Sequence, residues 1–272
     1  MANPSAAEIA ADARTLLEAG RSDEAISACL RALEVEPDCL DAHVCLARAK
    51  RPGDDYLVWL RRLHERLRPR TYLEIGVDAG RTLRLAQPPT RAIGVDPVAQ
   101  QGTAFSAETR LFAMESDAFF ASAEAARELS GRTIDLAFVD GLHLFEQALR
   151  DFMHIERRAE RTSVVLFHDC LPLTRSTASR TRATGFWTGD AWKIVPILTA
   201  HRPDLDVFII PAYPTGLAVV TRLDPASRAL DERYASLVSR FREAEWDEKT
   251  EAGAPIVTND EDSVLARIGR GR

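Results

Sequence analysis

Seven short apolar runs, separated by segments of helical periodicity, dominate the chain between residues 71 and 222. Most of these runs are continuously apolar rather than alternating, which is typical of strands covered on both faces. The pattern therefore predicts an α/β fold with a doubly wound, mostly parallel seven-stranded sheet. The predicted strands are 71–75, 91–96, 109–114, 134–140, 163–169, 206–210 and 216–222.

Helical segments are predicted between these strands, and the last connection is an exception. Only Pro211 to Thr215 separate the sixth strand from the seventh, which is too short for a helical crossover. The last two strands are therefore expected to form an antiparallel pair at one edge of the sheet. The predicted helices are 80–86, 117–129, 144–158, 190–201 and 226–246.

Residues 1–50 form a separate, alanine-rich region with helical spacing throughout. Gly20 ends one predicted helix, and Ser22 begins the next, which resembles the second helix of a tetratricopeptide repeat. An ordinary helical hairpin explains the same pattern. Because so small a unit cannot bury its own apolar face, we expect it to dock on this chain, on another copy or on a protein partner. The predicted divisions are a 1–50 helical appendage, a 51–246 α/β domain and a 247–272 polar tail.

The composition excludes several classes of protein. The 272 residues are 46% hydrophobic and 28% charged, as in soluble globular proteins, and the net charge of −6 argues against a broad nucleic-acid-binding surface. No apolar stretch approaches the roughly 20 residues that cross a bilayer, and the N-terminus lacks the features of a secretory signal. We therefore expect a cytoplasmic protein without a membrane or nucleic-acid partner. The four cysteines form no C-x-x-C pair and are expected to be reduced core thiols.

The first predicted strand runs into a loop with two glycines, Gly76 and Gly80, before the next helix. Ligands of open α/β sheets bind beyond the carboxyl ends of the strands, where glycine lets the backbone approach closely. Asp96 ends the second strand, 20 residues after Gly76, where an acidic group commonly accepts hydrogen bonds from ribose hydroxyls. The spacing is neither G-x-G-x-x-G nor a P-loop, which weakens the dinucleotide and ATP interpretations.

The order of motifs over residues 70–222 resembles the class I S-adenosylmethionine-dependent methyltransferases. The motifs are E-I-G-V-D-A-G at 74–80, G-V-D-P at 94–97, E-S-D-A-F-F at 115–120 and I-D-L-A-F-V-D-G at 134–141. The resemblance implies a Rossmann-like sheet and S-adenosylmethionine as cofactor. It further implies cofactor-binding roles for Glu74, Gly76, Gly80, Asp96, Ser116 and Asp117. A tight turn without a ligand also explains the glycines, and an ordinary helix start also explains Ser116 and Asp117.

Two further motifs follow the fourth and fifth strands, D-G-L-H at 140–143 and F-H-D-C at 167–170. They are similar to those of bacterial macrolide and sugar O-methyltransferases, which implies that Asp140 and Asp169 are catalytic metal ligands and that His143 is the base. His168 departs from that pattern, and imidazole suits manganese, iron, zinc or nickel better than magnesium. Three functional interpretations remain open: a magnesium site without His168, a softer metal held by Asp140, His168 and Asp169, and a metal-free acid/base pair. A turn capped by Asp169, with His168 as a satisfied polar residue at a strand end, explains the same residues without a site.

The sequence thus predicts an S-adenosylmethionine-dependent methyltransferase that acts on a hydroxyl of a small-molecule or sugar acceptor, with or without a divalent metal. An N-methyltransferase is the alternative within enzymes. A repeat-containing interaction protein with a non-catalytic methyltransferase-like domain is the alternative outside them. Between the fifth and sixth strands, Trp192 is expected in the core, Trp187 is left open, and Arg180 is expected on a mobile, solvated loop.

Overall fold

The fold is known from a computed structural model that describes residues 3–98 and 104–271. Side-chain caps begin some of the helices: Ser5 and Glu8 form a capping box at the first helix, and Asp55 accepts a hydrogen bond from the Val58 N–H at the fourth. The helices are α1 (Ala6–Glu18), α2 (Ser22–Val35), α3 (Leu40–Lys50), α4 (Tyr56–Leu67), α5 (Ser116–Ala121), α6 (Ala123–Glu128), α7 (Phe145–Glu156), α8 (Ile194–His201), α9 (Tyr234–Phe241), α10 (Glu248–Ala252) and α11 (Glu261–Gly271). The strands are β1 (Thr71–Ile75), β2 (Arg91–Val95), β3 (Glu108–Phe112), β4 (Ile134–Val139), β5 (Ala159–His168), β6 (Asp206–Ile210) and β7 (Leu217–Thr221).

All seven strands belong to one sheet with the order β3-β2-β1-β4-β5-β7-β6. The strand pairs from β3 to β5 are parallel, whereas β7 is antiparallel to both β5 and β6. The predicted doubly wound sheet and its antiparallel edge pair are therefore confirmed. This order places the carboxyl ends of β1, β2, β4 and β5 side by side at one edge.

Each face of the sheet carries its own apolar core, because side chains alternate along every strand. On β1, Leu73 and Ile75 belong to the core that α5 to α9 cover, whereas Tyr72 belongs to the core beneath α4 and α11. A β1 side chain therefore lies under α5 to α9 on one face of the sheet and under α4 and α11 on the other. This alternation decides the position of Glu74, as described below.

Several helices differ from the predicted ones. The segment predicted as a helix at 80–86 contains only a single 3-10 turn at Leu83–Leu85. The helix expected at 117–129 is broken into α5 and α6 at Ser122, whose side chain accepts a hydrogen bond from the Ala125 N–H and caps α6. Of the expected 226–246 helix, only α9 is helical. In each case a local turn or cap interrupts a helix that the apolar periodicity of the sequence predicts as continuous.

The segment expected to be a polar tail is folded. It contains α10 and α11, and Val264 and Ile268 are buried in the same core as α4. Asn259 accepts a hydrogen bond from the Trp59 indole N–H at 2.7 Å. The short apolar pattern of α11 covers one face of the sheet because its apolar residues recur every four positions.

The N-terminal helices α1 to α3 pack on one another and on the same chain's α/β domain. Their apolar cluster includes Leu173, and Phe186 and Tyr213 pack against it. Docking on its own chain is one of the outcomes expected for this appendage. The four cysteines are free and buried, in agreement with the prediction. Across residues 3–98 and 104–271, no helix combines the length and the apolarity that crossing a membrane requires.

Candidate active site

A cavity of about 480 Å³ opens at the carboxyl ends of β1, β2 and β4. The glycine loop after β1 forms one wall, and the start of α5 and the loop after β4 form the others. This is the place where open α/β sheets bind their ligands. Residues predicted for cofactor or catalytic roles that line the cavity are Gly76, Asp96, Ser116, Asp140 and His143.

At Gly76, both the backbone conformation and the lack of space exclude a residue with a Cβ atom. The φ of Gly76, +87°, lies in the region that favours glycine, and a Cβ atom added there would lie 2.1 Å from the carbonyl oxygen of Asp140. The Gly76 N–H also donates to the Val95 carbonyl at 2.9 Å, which ties the loop to β2. The glycine therefore allows β1 and the loop after β4 to approach closely beside the cavity.

Asp96 holds the glycine loop as well as lining the cavity. Its Oδ2 accepts hydrogen bonds from the backbone N–H groups of Val77 at 2.8 Å and Asp78 at 3.0 Å, and its Oδ1 accepts one from Val98. A carboxylate bound in this way is fixed in orientation. Asp96 can therefore present its remaining lone pairs to a ligand without rotating.

Glu74 lies outside the cavity lining, which differs from the expected cofactor contact. Its carboxyl group is fully buried on the α4 side of the sheet, because it follows Leu73 in the pleat. It accepts hydrogen bonds at 2.6 Å from the Tyr72 and Thr82 hydroxyls. Burial raises the pKa of Glu74 to about 8. Glu74 therefore braces the loop through Thr82 rather than touching a ligand.

Of the other three residues predicted to bind the cofactor, one lines the cavity and two do not. Ser116 lines the cavity and accepts a hydrogen bond from the Gln147 side chain at 2.9 Å. Asp117 lies outside the lining and pairs instead with Arg150 at 3.0 Å. Gly80 is also outside it, in the turn where its N–H donates to the Val77 carbonyl.

Asp140, His143, His168 and Asp169 converge beside the cavity, as their placement after neighbouring strands predicts. His143 Nδ1 lies 3.0 Å from Asp169 Oδ2, and His143 Nε2 lies 3.5 Å from Asp140 Oδ1. His168 Nδ1 lies 3.3 Å from an oxygen of each carboxylate. Thr215, in the turn before β7, donates a hydrogen bond to Asp169 Oδ1 at 2.5 Å.

The charges of this cluster depend strongly on one another. Burial opposes the charged form of each imidazole, yet Asp169 and Asp140 raise the pKa of His143, and the same carboxylates raise the pKa of His168 well above its usual value. Burial likewise opposes the ionised form of Asp169, but the two imidazoles lower its pKa. The carboxylates of Asp140 and Asp169 therefore favour the protonated form of each imidazole against the effect of burial.

The backbone at this cluster adopts conformations that need support from outside. His143 has φ 58° and Asp169 has φ 59°, both in the left-handed region that residues with a Cβ rarely occupy. Such conformations persist when surrounding contacts over-determine them, and they occur preferentially at functional sites. The cluster is therefore held by its neighbours rather than by local preference.

The donor set of the cluster fits a divalent ion of intermediate softness. Asp140, His143 and Asp169 each offer a ligand atom, and these atoms lie within 4.8 Å of one another. The Nε2 atom of His168 is buried and has no hydrogen-bond partner among the described residues. Two carboxylates with one or two imidazoles suit manganese, iron or zinc better than magnesium, and a bound ion would displace the imidazole protons.

Four further residues lie beside the cluster or the cavity, and only Tyr56 among them is not singled out by the sequence. Tyr56, at the start of α4, lines the cavity, and its ring lies 4.3 Å from that of His168, centroid to centroid. Trp187 stacks on His143 at 5.3 Å, whereas Trp192 is buried as expected. Arg180 is only partly exposed and forms ion pairs with Glu146 and Asp190, so this protein's own carboxylates hold it.

Residues 73–170 match a family model described as a methyltransferase domain. This part of the chain is therefore similar to methyltransferase domains. The matched part runs from β1 to the residue after Asp169 and so includes the glycine loop, Asp96 and the cluster. The N-terminal helices and the segment that carries Trp187 lie outside it.

The chain is also similar to solved structures. One is an O-methyltransferase from Bacillus cereus in complex with SAH, at 14% identity over 65% of this chain and 86% of that chain, with a TM-score of 0.45. Another is the O-methyltransferase TomG from Streptomyces achromogenes in complex with SAM, at 15% identity over 73% of this chain and 96% of that chain, with a TM-score of 0.46. No curated protein sequence matches the chain.

Proposed function

We propose that this protein is an S-adenosylmethionine-dependent O-methyltransferase that acts on a hydroxyl group of a small-molecule or sugar acceptor. The observation that carries the proposal is the position of the cavity, which joins the glycine loop and Asp96 to the cluster of Asp140 and His143. The first part suits a nucleoside cofactor, and the second supplies groups that can accept a proton. Both are needed for methyl transfer to oxygen.

The charge of the cavity favours S-adenosylmethionine over phosphate-bearing cofactors. Arg81 is the only lysine or arginine that lines the cavity within the described part of the chain, whereas five carboxyl groups line it. A dinucleotide would bring negative phosphates to these carboxylates, whereas S-adenosylmethionine carries a positive sulfonium and a positive amine against one carboxylate. Burial raises the pKa of Asp151 to about 6, which still leaves it mostly ionised above neutral pH. The five carboxyl groups that line the cavity belong to Asp78, Asp96, Glu115, Asp140 and Asp151.

The reaction requires one proton acceptor. A lone pair of the acceptor oxygen attacks the methyl carbon, the carbon–sulfur bond breaks with its electron pair remaining on sulfur, and the hydroxyl proton must leave. His143 borders the cavity, and its raised pKa makes the neutral imidazole a stronger base. Asp169 and Asp140 stabilise the imidazolium that results.

A divalent ion is an optional part of the proposal. Asp140 and Asp169 would hold it together with His143 or His168. A bound ion lowers the pKa of a hydroxyl that approaches it. If His143 were a ligand, it could not also accept the proton, so the base would then be one of the other groups or a water molecule.

Calorimetry with the purified protein tests the cofactor. We expect S-adenosylmethionine and its neutral product S-adenosylhomocysteine to bind, and NAD to bind far more weakly. Equal affinity for NAD, or no binding of S-adenosylmethionine, would contradict the proposal. Mass spectrometry with sugar, phenolic and amine acceptors then separates an O-methyltransferase from an N-methyltransferase, because the product identifies the methylated atom.

Chelation tests the metal separately. Full turnover in excess EDTA would exclude the ion and leave His143 as the base. If EDTA abolishes turnover, the divalent ion that restores it best identifies the preferred metal. A His168→Ala variant that changes this preference would make His168 a ligand, because imidazole and carboxylate ligands select different ions.

A further inference from the structure

The segment from Gly185 to Asp190 lies between the N-terminal helices and His143, and it contacts both. It is irregular up to the 3-10 turn at Ala191–Lys193, so its course depends on side-chain contacts rather than on a regular backbone ladder. What it contacts on each side therefore decides where it lies.

On the side of the N-terminal helices, two contacts hold the segment. Asp38, in the turn between α2 and α3, accepts a hydrogen bond from the Gly185 N–H at 2.6 Å. His43, fully buried on α3, stacks on Phe186 with a centroid distance of 5.3 Å and an interplanar angle of 4°. A polar contact and a ring contact thus tie neighbouring residues of the segment to the appendage.

On the other side, the same segment supports His143. The rings of Trp187 and His143 are stacked, 5.3 Å apart and inclined by 11°. The Trp187 indole N–H donates to the Ser179 carbonyl at 2.6 Å, which fixes the plane of the indole.

The backbone of the segment also contacts His143. The Asp190 N–H donates to the His143 carbonyl at 3.0 Å. Gly189 passes so close that a Cβ there would lie 2.1 Å from that carbonyl oxygen. His143 has a left-handed backbone, which needs this kind of external support.

We propose that Asp38 and His43 are positioning residues for His143. By holding Gly185 and Phe186, they place Trp187 against the imidazole and the Asp190 N–H against the His143 carbonyl. The imidazole is thereby kept between Asp140 and Asp169. The appendage, in this view, completes the active site of its own chain. The role of His143 in methyl transfer rests on the proposed function, whereas the contacts that position His143 do not depend on that function.

The test follows the ring protons of His143 by NMR at one pH, without added metal. A stacked indole shifts these resonances through its ring current, and a Trp187→Leu variant supplies the unstacked reference. We expect Asp38→Ala to move the His143 resonances at least half of the way to that reference. Asp38→Asn retains an acceptor oxygen and should leave them near their wild-type positions. Asp41→Ala, an exposed acid at the start of α3, is the matched control and should move nothing.

A second variant separates positioning from general destabilisation. Phe186→Leu retains apolar volume on a half-buried residue but removes the stacking with His43, so the His143 resonances should again move. Circular dichroism and the unfolding midpoint establish that each variant is folded. The proposal is overturned if Asp38→Ala and Phe186→Leu both leave His143 at its wild-type resonances, or if Trp187→Leu itself has no effect.

Calorimetry with S-adenosylmethionine on the same samples keeps the two proposals distinct. None of the substituted residues lines the cofactor cavity, so the affinity for S-adenosylmethionine should be unchanged in all of the variants. Failure of the wild-type protein to bind S-adenosylmethionine would overturn the proposed function and leave the NMR result valid. Unchanged His143 resonances would overturn only the positioning role.

Discussion

Replacing Glu74 by glutamine should change how stability depends on pH. Glu74 is fully buried, no ion pair among the described residues involves it, and its partners are the Tyr72 and Thr82 hydroxyls. Its pKa is raised by burial from 4.5 to about 8. The folded protein therefore keeps this proton over a range in which the unfolded chain has lost it.

The sign follows from that difference in bound protons. Between about pH 4.5 and about pH 8 the wild-type folded state holds one proton more, so its stability falls as the pH rises. A shift of about 3.5 units, at about 1.36 kcal/mol each, amounts to roughly 5 kcal/mol above pH 8 and about 3 kcal/mol at pH 7. Glutamine is neutral throughout and is of nearly the same size, so the variant does not incur this loss.

Urea unfolding followed by circular dichroism measures the effect. Relative to wild type, the free energy of unfolding of the Glu74→Gln variant should increase by about 4 kcal/mol as the pH rises from about 5 to about 9. The wild-type free energy of unfolding falls by about 1.4 kcal/mol per pH unit between the unfolded-state and folded-state pKa values of Glu74. Near pH 5 the two proteins should differ little. The exposed Glu34→Gln is the control and should follow the wild-type curve. A Glu74→Gln difference that does not vary with pH would refute the reasoning.

Three further outcomes are expected. Gly76→Ala should abolish S-adenosylmethionine binding in calorimetry, because its Cβ meets the Asp140 carbonyl, whereas Gly131→Ala, with φ +67° but no atom within 4 Å, should retain it; equal affinities would contradict this. His143→Ala should lower the methyl-transfer rate by about 10²–10⁴-fold at unchanged cofactor affinity, and a smaller loss would exclude it as the base. Ile268→Ala should cost about 2–5 kcal/mol in urea unfolding, since Ile268 is buried; a negligible cost would mean that α11 does not dock.

Much of the candidate site followed from the sequence because sheet topology places it. Asp140 and Asp169 each come directly after a strand, and the carboxyl ends of parallel neighbours meet at one edge. Their convergence with His143 needed no knowledge of side-chain geometry. Glu74, in contrast, is predicted from its motif to border the cofactor, but the pleat turns its side chain away from those of Ile75 and Leu73 and out of the cavity lining.

The approximate strand positions and the antiparallel edge pair were determined by the sequence itself, because run length and connection length are local properties of the chain. The tertiary structure alone decided the rest. Asp38 and Gly185 are far apart in sequence, and no periodicity records their hydrogen bond. The stacking of Trp187 on His143 likewise depends on how an irregular segment packs. Such contacts belong to the packed molecule, because each exists only when the N-terminal helices, the segment before α8 and the loop after β4 are brought together.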